Sequence, residues 1–215
     1  MAARFVITYD GGATTPDLET EIVACLEGQF PEMARLFDYF PTGTITVVIY
    51  PEKDFREATL AGADVAGLYD GKVRLPAGGL RRLDRETRAV LAHELAHAFI
   101  AGKSGGGAPR WLHEGLAQRA EGRRSTAATE TVLAREYRDA RATSRWGSAF
   151  TYPSALSFVE YLEARHGQPA LNQVLEEIGR GADAGRAFET VTRYSLTDLQ
   201  TAWGDDLVSR RLADR

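Results

Sequence analysis

Cysteine is almost absent. Cys25 stands alone, so an internal disulfide is excluded, and so is a metal site built on several thiolates. Its neighbours Val23, Ala24, Leu26 and Glu27 offer no basic group to activate the thiol, and the residue reads as a small buried hydrophobe. Long apolar runs are missing too. No stretch approaches the ~20 residues needed to span a bilayer. The opening Met1-Ala-Ala-Arg-Phe-Val-Ile-Thr-Tyr9 reads as a strand and not as a signal peptide. A soluble chain is therefore expected, either cytoplasmic or an exported domain trimmed of its signal. Nor is there a basic stripe. The net charge is −4, and arginines occur as scattered pairs such as Arg81-Arg82 and Arg123-Arg124. That removes the electrostatic footprint that nucleic-acid binding needs. The glycine-rich stretch Gly102 to Ala108 is a connection and no phosphate loop, because Lys103 and Ser104 precede its glycines and no strand feeds it.

What is present is an ordinary globular composition. The 215 residues are 44% apolar, with nine Phe, eight Tyr and three Trp, enough for a substantial core. Arg4 to Tyr9 and Thr44 to Tyr50 are β-branched or aromatic runs and read as strands. Between them, Pro16 to Phe40 carries Leu18, Ile22, Leu26, Phe30, Met33 and Phe37 at helical spacing, with a break expected near Pro31. Ala66 to Leu75 alternates around Asp70-Gly71, as a strand or hairpin does.

From Asp84 onward the pattern is helical. Asp84 is placed to cap a helix over Arg85 to Ala101, which Gly102 stops. Further helices are expected at Pro109 to Glu121, Glu130 to Arg141, Pro153 to His166, Pro169 to Ile178 and Leu196 to Arg210, the last opened by Ser195 with Asp198. The expected class is α+β: residues 1–101 form an α/β lobe with a small mixed sheet, packed on a mainly helical lobe of residues 102–215, with an active-site cleft at the junction.

The chemistry lies in His93-Glu94-Leu95-Ala96-His97. Four residues advance a helix by about 400°, so the two imidazoles stand roughly 40° apart in azimuth and about 6 Å apart along the axis, within reach of one ion. Glu94, about 100° round from His93, falls beside such an ion, where a carboxylate can accept a proton from water. Zinc in a hydrolytic site takes three protein ligands. A third is at hand in Glu114, on the next helix.

Trp111-Leu112-His113-Glu114-Gly115-Leu116-Ala117, following the zinc helix, resembles the signature of the gluzincin metallopeptidases, and within them the peptidase-MA-like family. The resemblance extends more weakly over most of the chain. It implies a zincin-like fold, Zn2+ held by His93, His97 and Glu114, and hydrolysis of peptide or protein substrates by activated water with Glu94 as general base. It also makes Tyr152 a candidate donor to the developing oxyanion, although a half-buried aromatic at a helix start is an equal account of that residue. By the same resemblance the edge strand from Gly67, Leu68 and Tyr69 to Leu75 lines the cleft and pairs with extended substrate. The chain departs from the pattern one turn after Glu114, where related proteins often carry an acidic residue to orient a zinc histidine; Gln118 can do so only through its amide oxygen.

The residues themselves bear on the remaining expectations. Gly115 is expected to let the zinc helix and the Glu114 helix approach closely, with Trp111, Leu112 and Leu116 clamping them. His113 points about 100° away from Glu114 and is not expected to share its ion. His166 ends a helix, where an imidazolium suits the dipole. A zinc hydrolase of another amide or ester, and a catalytically silent zinc-bearing module, remain alternatives; the intact Glu94 argues against the second.

Overall fold

A computed structural model describes residues 4–9, 15–51, 53–55, 67–78, 80–142 and 150–212. Ala66, where the third strand was expected to open, lies outside them. The chain divides into two compact units, Met1–Gly102 and Lys103–Arg215. Helices dominate and one small sheet accompanies them, which is the α+β class expected. Among the described residues, no helix is long and apolar enough to cross a membrane.

The first unit contains β1 (Phe5–Tyr9), α1 (Pro16–Phe37), β2 (Ile45–Pro51), β3 (Leu68–Tyr69), β4 (Val73–Gly78) and α2 (Arg85–Lys103), whose last residue passes into the second unit. Its sheet has four strands in the order β1-β2-β4-β3. β1, β2 and β4 run parallel, with Phe5 opposite Ile45 and Val47 opposite Val73. β3 is antiparallel to β4, Tyr69 facing Val73, and forms an edge. In β2 the residues Val47, Val48, Ile49 and Tyr50 are all buried. Alternation is lost there because a central strand with parallel neighbours is covered on both faces.

α1 starts where Thr15 accepts the Leu18 N–H at 3.2 Å, with Pro16 in the first turn. The expected break at Pro31 does not occur. The buried stripe Leu18, Ile22, Leu26, Phe30, Met33 and Phe37 continues through it, while Pro31 faces outward, where water can serve the backbone carbonyl that the proline leaves without a donor. The helix ends at Phe37 and not at Phe40, because Asp38 turns left-handed at φ 46°. Phe30 also packs edge-on to Phe99 of α2, ring centroids 4.9 Å apart, tying α1 to the helix that carries the histidines.

Gly102 does not stop α2 as expected. It lies inside the helix, and a Cβ there would stand 2.7 Å from the Tyr39 ring, so glycine serves close packing at this position and not chain reversal.

The second unit is built from α3 (Arg110–Ala120), α4 (Ala127–Ala142), α5 (Tyr152–His166), α6 (Gln168–Gly179), α7 (Ala184–Thr192) and α8 (Leu196–Leu212). α7 had no counterpart in the sequence expectations: it is one of the shorter helices, flanked by Gly181 and opening on Gly185, which read as loop. Asp183 starts it by accepting the Arg186 N–H at 3.0 Å. The core centres on Trp203, fully buried, whose indole N–H donates to Ser157 Oγ at 3.1 Å. Around it Phe150, Phe158 and Trp111 stack with centroids 5.1–6.3 Å apart.

Candidate metal centre

α2 opens as its sequence demands, with Asp84 Oδ1 accepting the Thr87 N–H at 2.7 Å. Those hydrogen bonds hold the Asp84 carboxyl below its ordinary pKa. Leu91, Leu95 and Phe99 bury one face, which fixes the rotation of the helix and so the direction of the neighbouring histidines.

The Nε2 atoms of His93 and His97 lie 3.1 Å apart, with the rings edge to face. Two nitrogen lone pairs at that separation must share a proton or a cation. Ligand nitrogens at about 2.0–2.1 Å from a tetrahedral zinc stand roughly 3.3 Å apart, so the spacing fits a zinc ion.

Glu94 is 4% exposed. β3 runs close by: a Cβ on Gly67 would fall 2.7 Å from Glu94 Oε1, so only glycine leaves room for the carboxylate. Tyr69 stacks on His97 at 6.5 Å, and burial is the main cause that raises its phenol pKa, followed by the Asp70 charge and Tyr39. The backbone of Leu68 lies in the same short edge strand. Gly67 and Tyr69 are thus brought to the helix that carries the two histidines, at the end of the sheet that β3 forms among the described residues.

Glu114 lies on α3, its side chain 15% exposed. Ligand atoms of His93, His97 and Glu114 all lie within 4.8 Å of one another, and His113 is not part of that group. The chain matches no protein-family model and no curated protein.

Around Glu114 the second unit holds a cavity of about 550 Å³, bordered by Arg110, Trp111, Phe150, Tyr152 and Gln200 besides Glu114 itself. Tyr152 is 46% exposed there, so it is not packed as a core aromatic. It occupies the first position of α5, behind a capping box in which Thr151 and Ser154 satisfy each other's backbone N–H groups. Arg110, which the sequence reading passed over, sits one turn before Glu114. The Tyr152 hydroxyl beside it, and then the Glu114 carboxylate, hold its guanidinium further above the ordinary pKa. Its spacing, four residues ahead of Glu114 on one helix, was the available signal.

Gln118 is only 3% exposed, and its NH2 donates to the carbonyls of Glu114 at 3.1 Å and Tyr152 at 2.9 Å. Two expectations change. Gly115 serves α5, since a Cβ there would lie 2.5 Å from both the Ala155 carbonyl and Val159 Cγ2, and Trp111 packs on Phe150, Phe158 and Phe188. At the end of α5, burial and then Arg165 push His166 below its ordinary pKa, so the neutral imidazole is favoured instead of the imidazolium the helix end alone would favour. As for Glu121, it pairs with Arg123 at 2.8 Å, at the C-cap of α3.

Proposed function

We propose that this chain is a zinc-dependent hydrolase of gluzincin type with a zincin-like fold, and that it acts as a peptidase. The observation that carries this most directly is the gathering of two imidazoles and a carboxylate, the donor set of a hydrolytic zinc site, beside a buried glutamate that is not one of the three.

His93, His97 and Glu114 are the residues that would hold the ion. Bound there, zinc supplies Lewis acidity, making water acidic enough to ionise near neutral pH and polarising a carbonyl. Glu94 Oε takes the proton of the attacking water and returns it to the leaving amine. Burial of its carboxylate, with Gly67 against it, keeps that oxygen in one place. Tyr152, on the cavity wall with Glu114, donates its hydroxyl proton in a hydrogen bond to the oxyanion that develops on the substrate carbonyl. Extended substrate adds to β3, an edge strand among the described residues, at Gly67, Leu68 and Tyr69 through main-chain hydrogen bonds, a mode that selects backbone above side chain and so suits peptides.

The deciding experiment is digestion of a broad peptide library by zinc-loaded protein beside Glu94→Gln. Products from the wild type that are missing with Glu94→Gln, at equal zinc content, are the expected result. Cleavage of simple amides or esters with no peptide cleaved moves the assignment to another amide or ester hydrolase. A purified chain holding well under one equivalent of zinc refutes the metal site.

A further inference from the structure

Gln118 takes no step in the mechanism above, yet it is the most deeply buried uncharged polar side chain on the helix that bears Glu114. Its NH2 group has two hydrogens, and both are accounted for: one donates to the Glu114 carbonyl at 3.1 Å, the other to the Tyr152 carbonyl at 2.9 Å. Because both partners are carbonyl oxygens, the orientation of the amide is not ambiguous. An ionised carboxylate at this position could make neither bond.

We infer that Gln118 is a positioning residue, which ties the start of α5 to the ligand-bearing helix α3 and thereby sets where the Tyr152 hydroxyl stands relative to the Glu114 carboxylate. This rests on the reading of Tyr152 as oxyanion donor.

Several features make the tie stiff. Arg110, Glu114 and Gln118 recur at four-residue intervals and so share one face of α3. At one end of that face Arg110 lines the same cavity as Tyr152; at the other Gln118 holds the Tyr152 carbonyl. Tyr152 is thus held at its main-chain end by Gln118, while its ring borders the cavity that Arg110 and Glu114 also line. Gly115 brings α5 so near that a Cβ would meet the Ala155 carbonyl at 2.5 Å, which leaves the seam little freedom to slide. The Thr151–Ser154 box fixes the backbone on the other side of Tyr152.

The test uses the full chain with Gln118→Leu, similar in size but without donors, alone and combined with Tyr152→Phe. In zinc-free protein, amide hydrogen exchange over residues 151–156 is expected to speed up in Gln118→Leu while the rest of α5 is unchanged. Exchange that stays as in the wild type overturns the inference, whatever the activity. With zinc and the best-cleaved library peptide, Gln118→Leu is expected to lower kcat by about tenfold to a hundredfold with KM and zinc stoichiometry held, the loss that misplacement of a donor produces. In the Tyr152→Phe background the same change is expected to cost less than about twofold, because nothing remains to be positioned. Equal losses in both backgrounds, or full kcat in Gln118→Leu beside an impaired Tyr152→Phe, overturn the inference and leave the donor intact. Unchanged kcat in Tyr152→Phe instead removes the donor role itself.

Discussion

At the scale of single residues, glycine and histidine are the informative types. Gly67 borders Glu94, the proposed general base: a methyl group there would meet Glu94 Oε1 at 2.7 Å and Val90 Cγ1 at 2.8 Å, the second on a helix that cannot yield. Gly67→Ala is therefore expected to shift the carboxylate and cost roughly a hundredfold in kcat, against a stability loss of only about 1–3 kcal/mol. Steady-state kinetics with a melting curve checks both; wild-type kcat would show that the close approach has no bearing on the base. His166 offers a pH test. Burial and Arg165 depress its pKa, and its Nε2 is buried without a hydrogen-bond partner among the described residues. The folded state thus prefers the neutral ring. The associated stability is complete above the unfolded-state value of about 6.5 and is lost as pH falls through the lower folded-state value. His166→Gln is expected to flatten the decline of Tm between about pH 7 and pH 5 relative to the wild type. An unaltered slope would contradict this.

At the scale of elements, the seam between α3 and α5 carries the most consequence, since Glu114 lies on one side of it and Tyr152 on the other. Gly115 is its narrowest point, a Cβ there meeting Ala155 O and Val159 Cγ2 at 2.5 Å. One contact is backbone and cannot move without moving the helix. Gly115→Ala is expected to destabilise by about 1–3 kcal/mol through overpacking, despite the better helix propensity of alanine. It is also expected to weaken zinc binding, because Glu114 is the adjacent residue. Denaturant melts and zinc titration measure the two effects, and a variant as stable as the wild type would mean that the seam can relax.

At the scale of the whole molecule, the two units have different organisation. The first wraps a mixed sheet with α1 and α2; the second is helical about Trp203. Zinc that binds only the folded chain must stabilise it by mass action, about 2.7 kcal/mol at a hundredfold excess over Kd. Chelation is expected to lower Tm by roughly 5–10 °C for a chain of this size, with recovery on adding zinc and none on adding magnesium. A Tm indifferent to chelator would count against a resident metal. Much was legible beforehand. That His93 and His97 face one way, that Glu94 stands beside them, and that Asp84 and Pro16 open their helices all follow from the pitch of a helix and the chemistry of its ends, which are local and written into spacing. The strand, helix, strand opening was legible for the same reason. The order β1-β2-β4-β3, the contact of Gly67 with Glu94, the helix that Gly115 serves and the carbonyls that Gln118 holds were not. Each depends on which surfaces meet across long stretches of chain, and one pattern of apolar and polar residues is compatible with several such meetings until the packed core selects among them.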